Sequence, residues 1–211
     1  KENFKEVLSK LKFEEIRENY FSKYFENFDC KMEVDFVNEK LIYPEDKWLI
    51  VNDKTTSNFS APENFVVFEC VYKLLNQWYW PKNIELEKEW QLWHTWKSWK
   101  ADVFVCDNSW NSYLIIECKT AWTEYKKAVK ILESDSKNQL FSYLQQATST
   151  KFLALYESDF VDNNVVSNYY LINVSDNEEL LKNNPNLSSY KDATTHFEKY
   201  YVWVNTYSKD Y

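Results

Sequence analysis

Asp102, Glu117 and Lys119 are the residues whose types and spacing could do chemistry. They lie in ADVFVC-DNSWNS-YLIIECK, two almost continuously apolar segments joined by a polar, turn-forming stretch. If the segments pair as a hairpin centred on Ser109 and Trp110, Asp102 falls directly opposite Glu117. Opposed side chains in such a pair have Cβ atoms about 4.5–5.5 Å apart, and two carboxylates that close repel each other in a dry sheet. A divalent cation relieves the repulsion, and sites of a few carboxylates plus waters suit Mg²⁺. Lys119 lies two residues beyond Glu117 and so points to the same face. An ammonium there can orient an attacking water and offset charge developing on a phosphate. The set predicts phosphodiester hydrolysis. Glu-x-Lys alone also describes a strand running out into solvent, and the aspartate in register on the neighbouring strand is what separates the two readings.

The elements that must position these groups follow from the apolar pattern. Residues 1–28 carry helical spacing in Phe4, Val7, Leu8 and Leu11, then Ile16, Tyr20 and Tyr24. MEVDFVNEKLIYPEDK predicts a strand and a turn, and the polar stretch Ser57 to Pro62 marks a boundary. Pro62 opens a helix with Phe65, Phe68, Val71, Tyr72 and Leu75 on its core face and Glu63 in its first turn, where the helix dipole favours an acid. IELEKEWQL, ADVFVC, SYLIIEC, KFLALY and NYYLINV read as strands, and Thr123 to Gln146 as an interrupted helical stretch. KYYVWVNTY, residues 199–207, is a final strand candidate. The order predicts an α/β fold with a mixed central sheet flanked by helices. It divides the chain into an N-terminal extension (1–56), a core (57–175) and a C-terminal excursion with one strand (176–211).

Composition narrows the partners. A net charge of −8 argues against a sequence-independent polyanion binder, but six lysines against four acids lie between Lys97 and Lys130. Lys97 and Lys100 are the candidates for tracking a phosphate backbone, and His94 is expected to touch solvent or phosphate. The cysteines, Cys30, Cys70, Cys106 and Cys118, form no C-x-x-C pair and read as isolated buried thiols in a reducing cytosol. Cys118 faces the side of its strand opposite Glu117 and Lys119, as a packing residue. No run of about 18 apolar residues is present, so a cytoplasmic chain without membrane spans is expected. A sequence starting at Lys1 is expected to be a piece of a longer product.

The 211 residues contain no glycine, where about 7% is usual, and ten tryptophans. Trp48, Trp78, Trp80, Trp93, Trp96, Trp99, Trp110 and Trp122 stand at expected turn sites, where a residue tolerating positive φ is wanted, whereas Trp90 and Trp203 fit strands. The pattern is that of a gene in which UGA encodes glycine but is read as tryptophan.

Asp102, then Glu117-Cys118-Lys119, then Gln139-Leu140-Phe141-Ser142-Tyr143 resembles the PD-(D/E)xK nucleases in their RecB-like form with a Q-x-x-x-Y motif. More closely, PENFVVFECVYKLL, ELEKEWQLWHTWKSWKADVFV, YLIIECKTAW and NQLFSYLQQ resemble the N-terminal nuclease domain of type I restriction enzyme R subunits and of related fused restriction-methylation proteins. The resemblance covers about residues 60–160. That family has glycine in a G-x-x-D turn where Trp99 stands, and usually near positions 93, 96 and 122. The resemblance implies a restriction-endonuclease-like fold and a Mg²⁺-dependent endonuclease acting on double-stranded DNA. Asp102 and Glu117 would bind the metal, Lys119 would serve the attacking water, and Gln139 and Tyr143 would hold the DNA backbone or steady the site. A helix acid completes such sites; Glu69 is the first choice and Glu63 the rival. Further domains or subunits (translocase, methyltransferase, specificity subunit) are the implied partners. No G-x-x-x-x-G-K-[ST] phosphate loop occurs, even with the suspect tryptophans read as glycine, so ATP hydrolysis is not expected of this chain. A repair or mobile-element nuclease of the same fold and a non-catalytic DNA-binding module are the alternatives.

Overall fold

The computed structural model describes residues 2–90, 99–132, 144 and 147–177. Within them the chain is mixed α/β, with two sheets and three helices. Helix α1 (Glu2–Lys10) leads into strands β1 (Glu14–Arg17), β2 (Tyr20–Phe25), β3 (Cys30–Asp35) and β4 (Lys40–Ile42), an antiparallel meander. The expectation of helical structure through residue 28 therefore holds only to Lys10. Lys12 and Asn19 take φ of 60° and 61° and turn the chain, and Ile16 and Tyr24, counted as a helical stripe, are exposed. In β2 it is Phe21, Ser22 and Phe25 that are buried instead.

After the short strand β5 (Ile50–Val51) comes helix α2 (Pro62–Asn76), then β6 (Ile84–Trp90), β7 (Trp99–Cys106), β8 (Ser112–Thr120), helix α3 (Thr123–Leu132), β9 (Phe152–Val161) and β10 (Asn164–Asn173). The second sheet has the order β10-β9-β8-β7-β6-β5. β8 runs parallel to β9 and β5 parallel to β6, and the other pairs are antiparallel. All five strand expectations in this region are met. The candidate strand at 199–207 lies outside the described residues. No helix among the described residues is long and apolar enough to cross a membrane.

Alternate residues of the central strands divide between two cores, as the period of two requires. Leu114, Ile116, Cys118, Ala154 and Tyr156 pack with α2, while Ile115, Leu153 and Leu155 pack with Tyr125 of α3 and with Leu144. The α2 core continues into the meander, where Phe13 and Tyr43 meet the Phe68 ring at centroid distances of 5.7 and 5.5 Å. This scaffold fixes the ends of β7, β8 and α2, where the charged groups sit.

Left-handed backbone occurs at Trp48, Trp78, Trp110 and Trp122, with φ between 64° and 71°. All four side chains are exposed. Trp78 follows α2 in a Schellman arrangement: its N–H donates to Leu75 C=O at 3.1 Å and the next N–H, of Tyr79, to Leu74 C=O at 3.0 Å. That position is ordinarily glycine, since any side chain there crowds the following carbonyl. Trp110 closes the β7–β8 turn, donating to Asp107 C=O at 3.0 Å, and the pairing shifts by one residue just beyond it. This is the bulge geometry that wants glycine in its left-handed place. Two expected turn sites differ. Trp80 is extended (φ −69°, ψ 136°), as a residue before proline should be, and Trp99 opens β7 opposite Trp90. Trp93 and Trp96 lie outside the described residues. Trp78→Gly and Trp110→Gly are each expected to raise stability by about 1 kcal/mol, by removing the left-handed penalty from a solvated side chain. Urea midpoints measure it, and an unchanged or lowered midpoint at both positions contradicts it.

Candidate active site

The β7–β8 ladder carries the predicted register, with Val103 opposite Ile116, Phe104 opposite Ile115 and Val105 opposite Leu114. Just past Val103, the Cys118 N–H of β8 donates to Asp102 Oδ2 at 2.6 Å, so a side chain takes an amide of the neighbouring strand. That bond fixes the Asp102 carboxylate against β8 beside Glu117. Glu117 is buried at 6% exposure, with its carboxylate in reach of Lys119.

The Lys119 ammonium gathers these groups. Its Nζ lies 2.8 Å from Glu117 Oε1, 2.9 Å from Glu63 Oε1 and 4.0 Å from Asp102 Oδ2, and it donates to Cys118 C=O at 2.8 Å. Two carboxylates from adjacent strands and one from the first turn of α2 thus surround a single cation. The Cys118 side chain points the other way, fully buried in the α2 core, as expected for packing.

Of the two helix acids, Glu63 reaches this cluster and Glu69 does not. Six residues on a helix turn the side chain by about 240°, so the two cannot share a face. Glu69 is instead buried with Lys73 (2.9 Å to Oε1) and accepts from Tyr156 Oη at 2.5 Å. The first choice made from sequence is therefore corrected to its rival. Lys100 is ion-paired with Asp53 at 2.6 Å and Glu89 at 3.1 Å, and its hydrogen bond to Asp53, with that of Thr55, lowers the Asp53 carboxyl to about 2. A phosphate contact by Lys100 has to compete with both acids. Lys97, Gln139, Tyr143 and His94 lie outside the described residues.

Glu87, which the sequence reading missed, stands near enough to feel the charges of the cluster. Its neighbours in β6 pair as Leu86–Val103 and Lys88–Ala101, and its own φ is 54°, left-handed within the strand. Burial raises its pKa, and so do the charges of Asp53, Glu117 and Glu63, against the pull of Lys100. The repeating acids of ELEKEW next to a strand bearing Asp102 were the available signal.

The electrostatics are those of a crowded anionic site. Burial, and after it the charge of Glu117, pushes the Asp102 carboxyl well above its ordinary value, with Lys119 opposing. Burial disfavours the charged form of Lys119, yet Glu117, Asp102 and Glu63 outweigh it and hold the amine above its usual range. The oxygens around the Lys119 ammonium are those of Glu117, Glu63 and the Cys118 carbonyl, with Asp102 further off. The carboxylate pair of Asp102 and Glu117 has the oxygen chemistry that suits a hard divalent cation, and the ammonium marks where the negative potential converges. No group of three or more histidine, cysteine, aspartate or glutamate side chains stands at metal-binding spacing among the described residues. A cavity of about 410 Å³ lies between Phe4, Pro62, Phe65, Glu69, Thr120 and Trp122, and none of Asp102, Glu117, Lys119 and Glu63 lines it.

No protein-family model matches the chain, and no curated protein matches it.

Two measurements follow from this geometry. Without divalent cations, Asp102→Asn is expected to raise the melting temperature. A folded pKa above the ordinary 3.8 means that the group's stabilising contribution is present below that value and is lost as pH rises through the folded one. The advantage of the asparagine variant should therefore grow from about pH 4 upward in melts across a pH series; a variant less stable than wild type throughout contradicts it. Glu69→Ala takes the carboxylate from a half-buried Lys73, which keeps Tyr156 Oη and Ser167 Oγ as partners, and should lower stability by about 3 kcal/mol in urea titrations. A loss within the scatter of surface substitutions contradicts the buried pair.

Proposed function

We propose that this chain is a Mg²⁺-dependent DNA endonuclease domain of the PD-(D/E)xK type, from a type I-like restriction-modification system. The observation that carries the reading is the convergence of Asp102 and Glu117, from adjacent strands, on the amine of Lys119. The resemblance of the same three residues, and of the Q-x-x-x-Y stretch, to that nuclease family supports it.

Asp102 and Glu117 would hold Mg²⁺, which when bound lowers the pKa of water and polarises a phosphoryl oxygen. The remaining work falls to the chain itself. Asp102 is oriented by the Cys118 amide, so its carboxylate need not reorganise before reaction. Glu117 is held within a buried strand end. The Lys119 amine, positively charged at neutral pH, orients the attacking water and offsets charge growing on the scissile phosphate. Gln139, Tyr143, Lys97 and Lys100 would contact the backbone of double-stranded DNA. A translocase, methyltransferase and specificity subunit would supply ATP-driven movement, modification and site recognition.

Nicking of supercoiled plasmid with Mg²⁺ tests the reading. Wild type is expected to nick and to stop on chelation, and Asp102→Ala and Lys119→Ala to lose about 100-fold or more. Equal activity in all three proteins, or nicking that survives chelation, removes the assignment.

A further inference from the structure

We infer that Glu63 is a positioning residue for Lys119, holding its amine at the edge of the site when a divalent cation takes the carboxylates, and is not itself a cation ligand. The inference rests on the reading above and concerns what the helix acid does there.

Lys119 has three N–H donors, and three oxygens lie within 2.9 Å of its nitrogen: Glu117 Oε1, Glu63 Oε1 and Cys118 C=O. Asp102 Oδ2, at 4.0 Å, is beyond hydrogen-bond reach and attracts the amine only through space. A divalent cation held by Asp102 and Glu117 would stand within a few ångströms of the Lys119 ammonium, and the two positive charges repel. Binding therefore weakens the hold of Glu117 on the amine. The partner that can keep it close is Glu63, for two reasons. It approaches from a different element, the first turn of α2, and so does not share the strand ends with the cation. Its side chain is also 39% exposed, against 8% for Glu117, so it stays solvated and free to follow the amine outward. Lys119 is then both the counter-ion of the cation-free site and a competitor that the cation displaces. Glu63 sets where the displaced amine goes. A residue beside the scissile phosphate needs that placement.

The two roles open to Glu63 separate in a double-mutant cycle. Mn²⁺ binding to the full chain, without DNA, is measured by titration calorimetry at neutral pH for wild type, Lys119→Met, Glu63→Gln and the double variant. Melting curves confirm folding, and Lys119→Gln serves as the second variant if the methionine protein does not fold. Removing the competing ammonium should tighten Mn²⁺ binding about tenfold. Glu63→Gln alone should weaken it, since the amine then rests more firmly on Glu117. In the Lys119→Met background, Glu63→Gln should change affinity by less than about twofold, because nothing is left to position. A Lys119→Met protein that binds no tighter than wild type overturns the inference. So does a Glu63→Gln loss that persists in the double variant, the mark of a true ligand. If all four folded proteins bind no Mn²⁺, the nuclease reading itself fails; binding that is intact but follows the wrong pattern removes only the role of Glu63.

Discussion

The mutual repulsion of Asp102 and Glu117 is the constraint around which this end of the molecule is organised. Two carboxylates on neighbouring strands, both largely removed from water, are unfavourable unless positive charge stands beside them. Lys119 supplies that charge, and it does so from the same strand as Glu117, two residues on, where the pleat returns a side chain to the same face. The strands cannot be re-registered by one residue without sending these charges into the apolar core on the α2 side. The buried run Tyr113 to Ile116 therefore also holds the charged pair in place.

Much of this was legible in the sequence because it rests on short-range rules. The polar turn Asp107 to Asn111 and the two apolar segments beside it set the register as far as Val103 and Ile116, and just past that pair Asp102 meets the Cys118 N–H of β8 beside Glu117. The strands of the larger sheet were equally plain, since buried strands are written as apolar runs. What escaped depends on phase or on local irregularity. Glu63 and Glu69 lie on one helix, and apolar spacing does not say which acid faces the sheet end; the choice turned on a rotation of about 240°. Glu87 stands near the cluster as a left-handed residue in the middle of a strand, which no periodicity announces. The aromatic residues near the N-terminus satisfy a four-residue spacing as well as strand alternation. There the left-handed Lys12 and Asn19 decided for strands.

The tryptophans carry a second message about the relation of sequence to backbone. Trp78 and Trp110 each occupy the left-handed position of a motif whose hydrogen bonds are fully formed around them. The motifs are set by their neighbours: the carbonyls of Leu74 and Leu75 at the end of α2, and Asp107 in the hairpin turn. A bulky exposed side chain adds strain there, and the Trp78 ring gains only an edge contact with Phe28 at 6.5 Å. The fold thus reads those positions as glycine whatever letter the sequence shows. The charged cluster contains no tryptophan, so its chemistry stands apart from that question.

If, as we propose, the Asp102 and Glu117 carboxylates share one divalent cation, the Lys119 amine stands displaced beside it. Anomalous diffraction at the manganese edge, from crystals equilibrated with Mn²⁺, tests this most directly. A peak in contact with oxygens of both Asp102 and Glu117, with the Lys119 amine moved off Glu117, is expected. A peak elsewhere, or an empty cluster with Lys119 still bonded to Glu117 at saturating Mn²⁺, would contradict it.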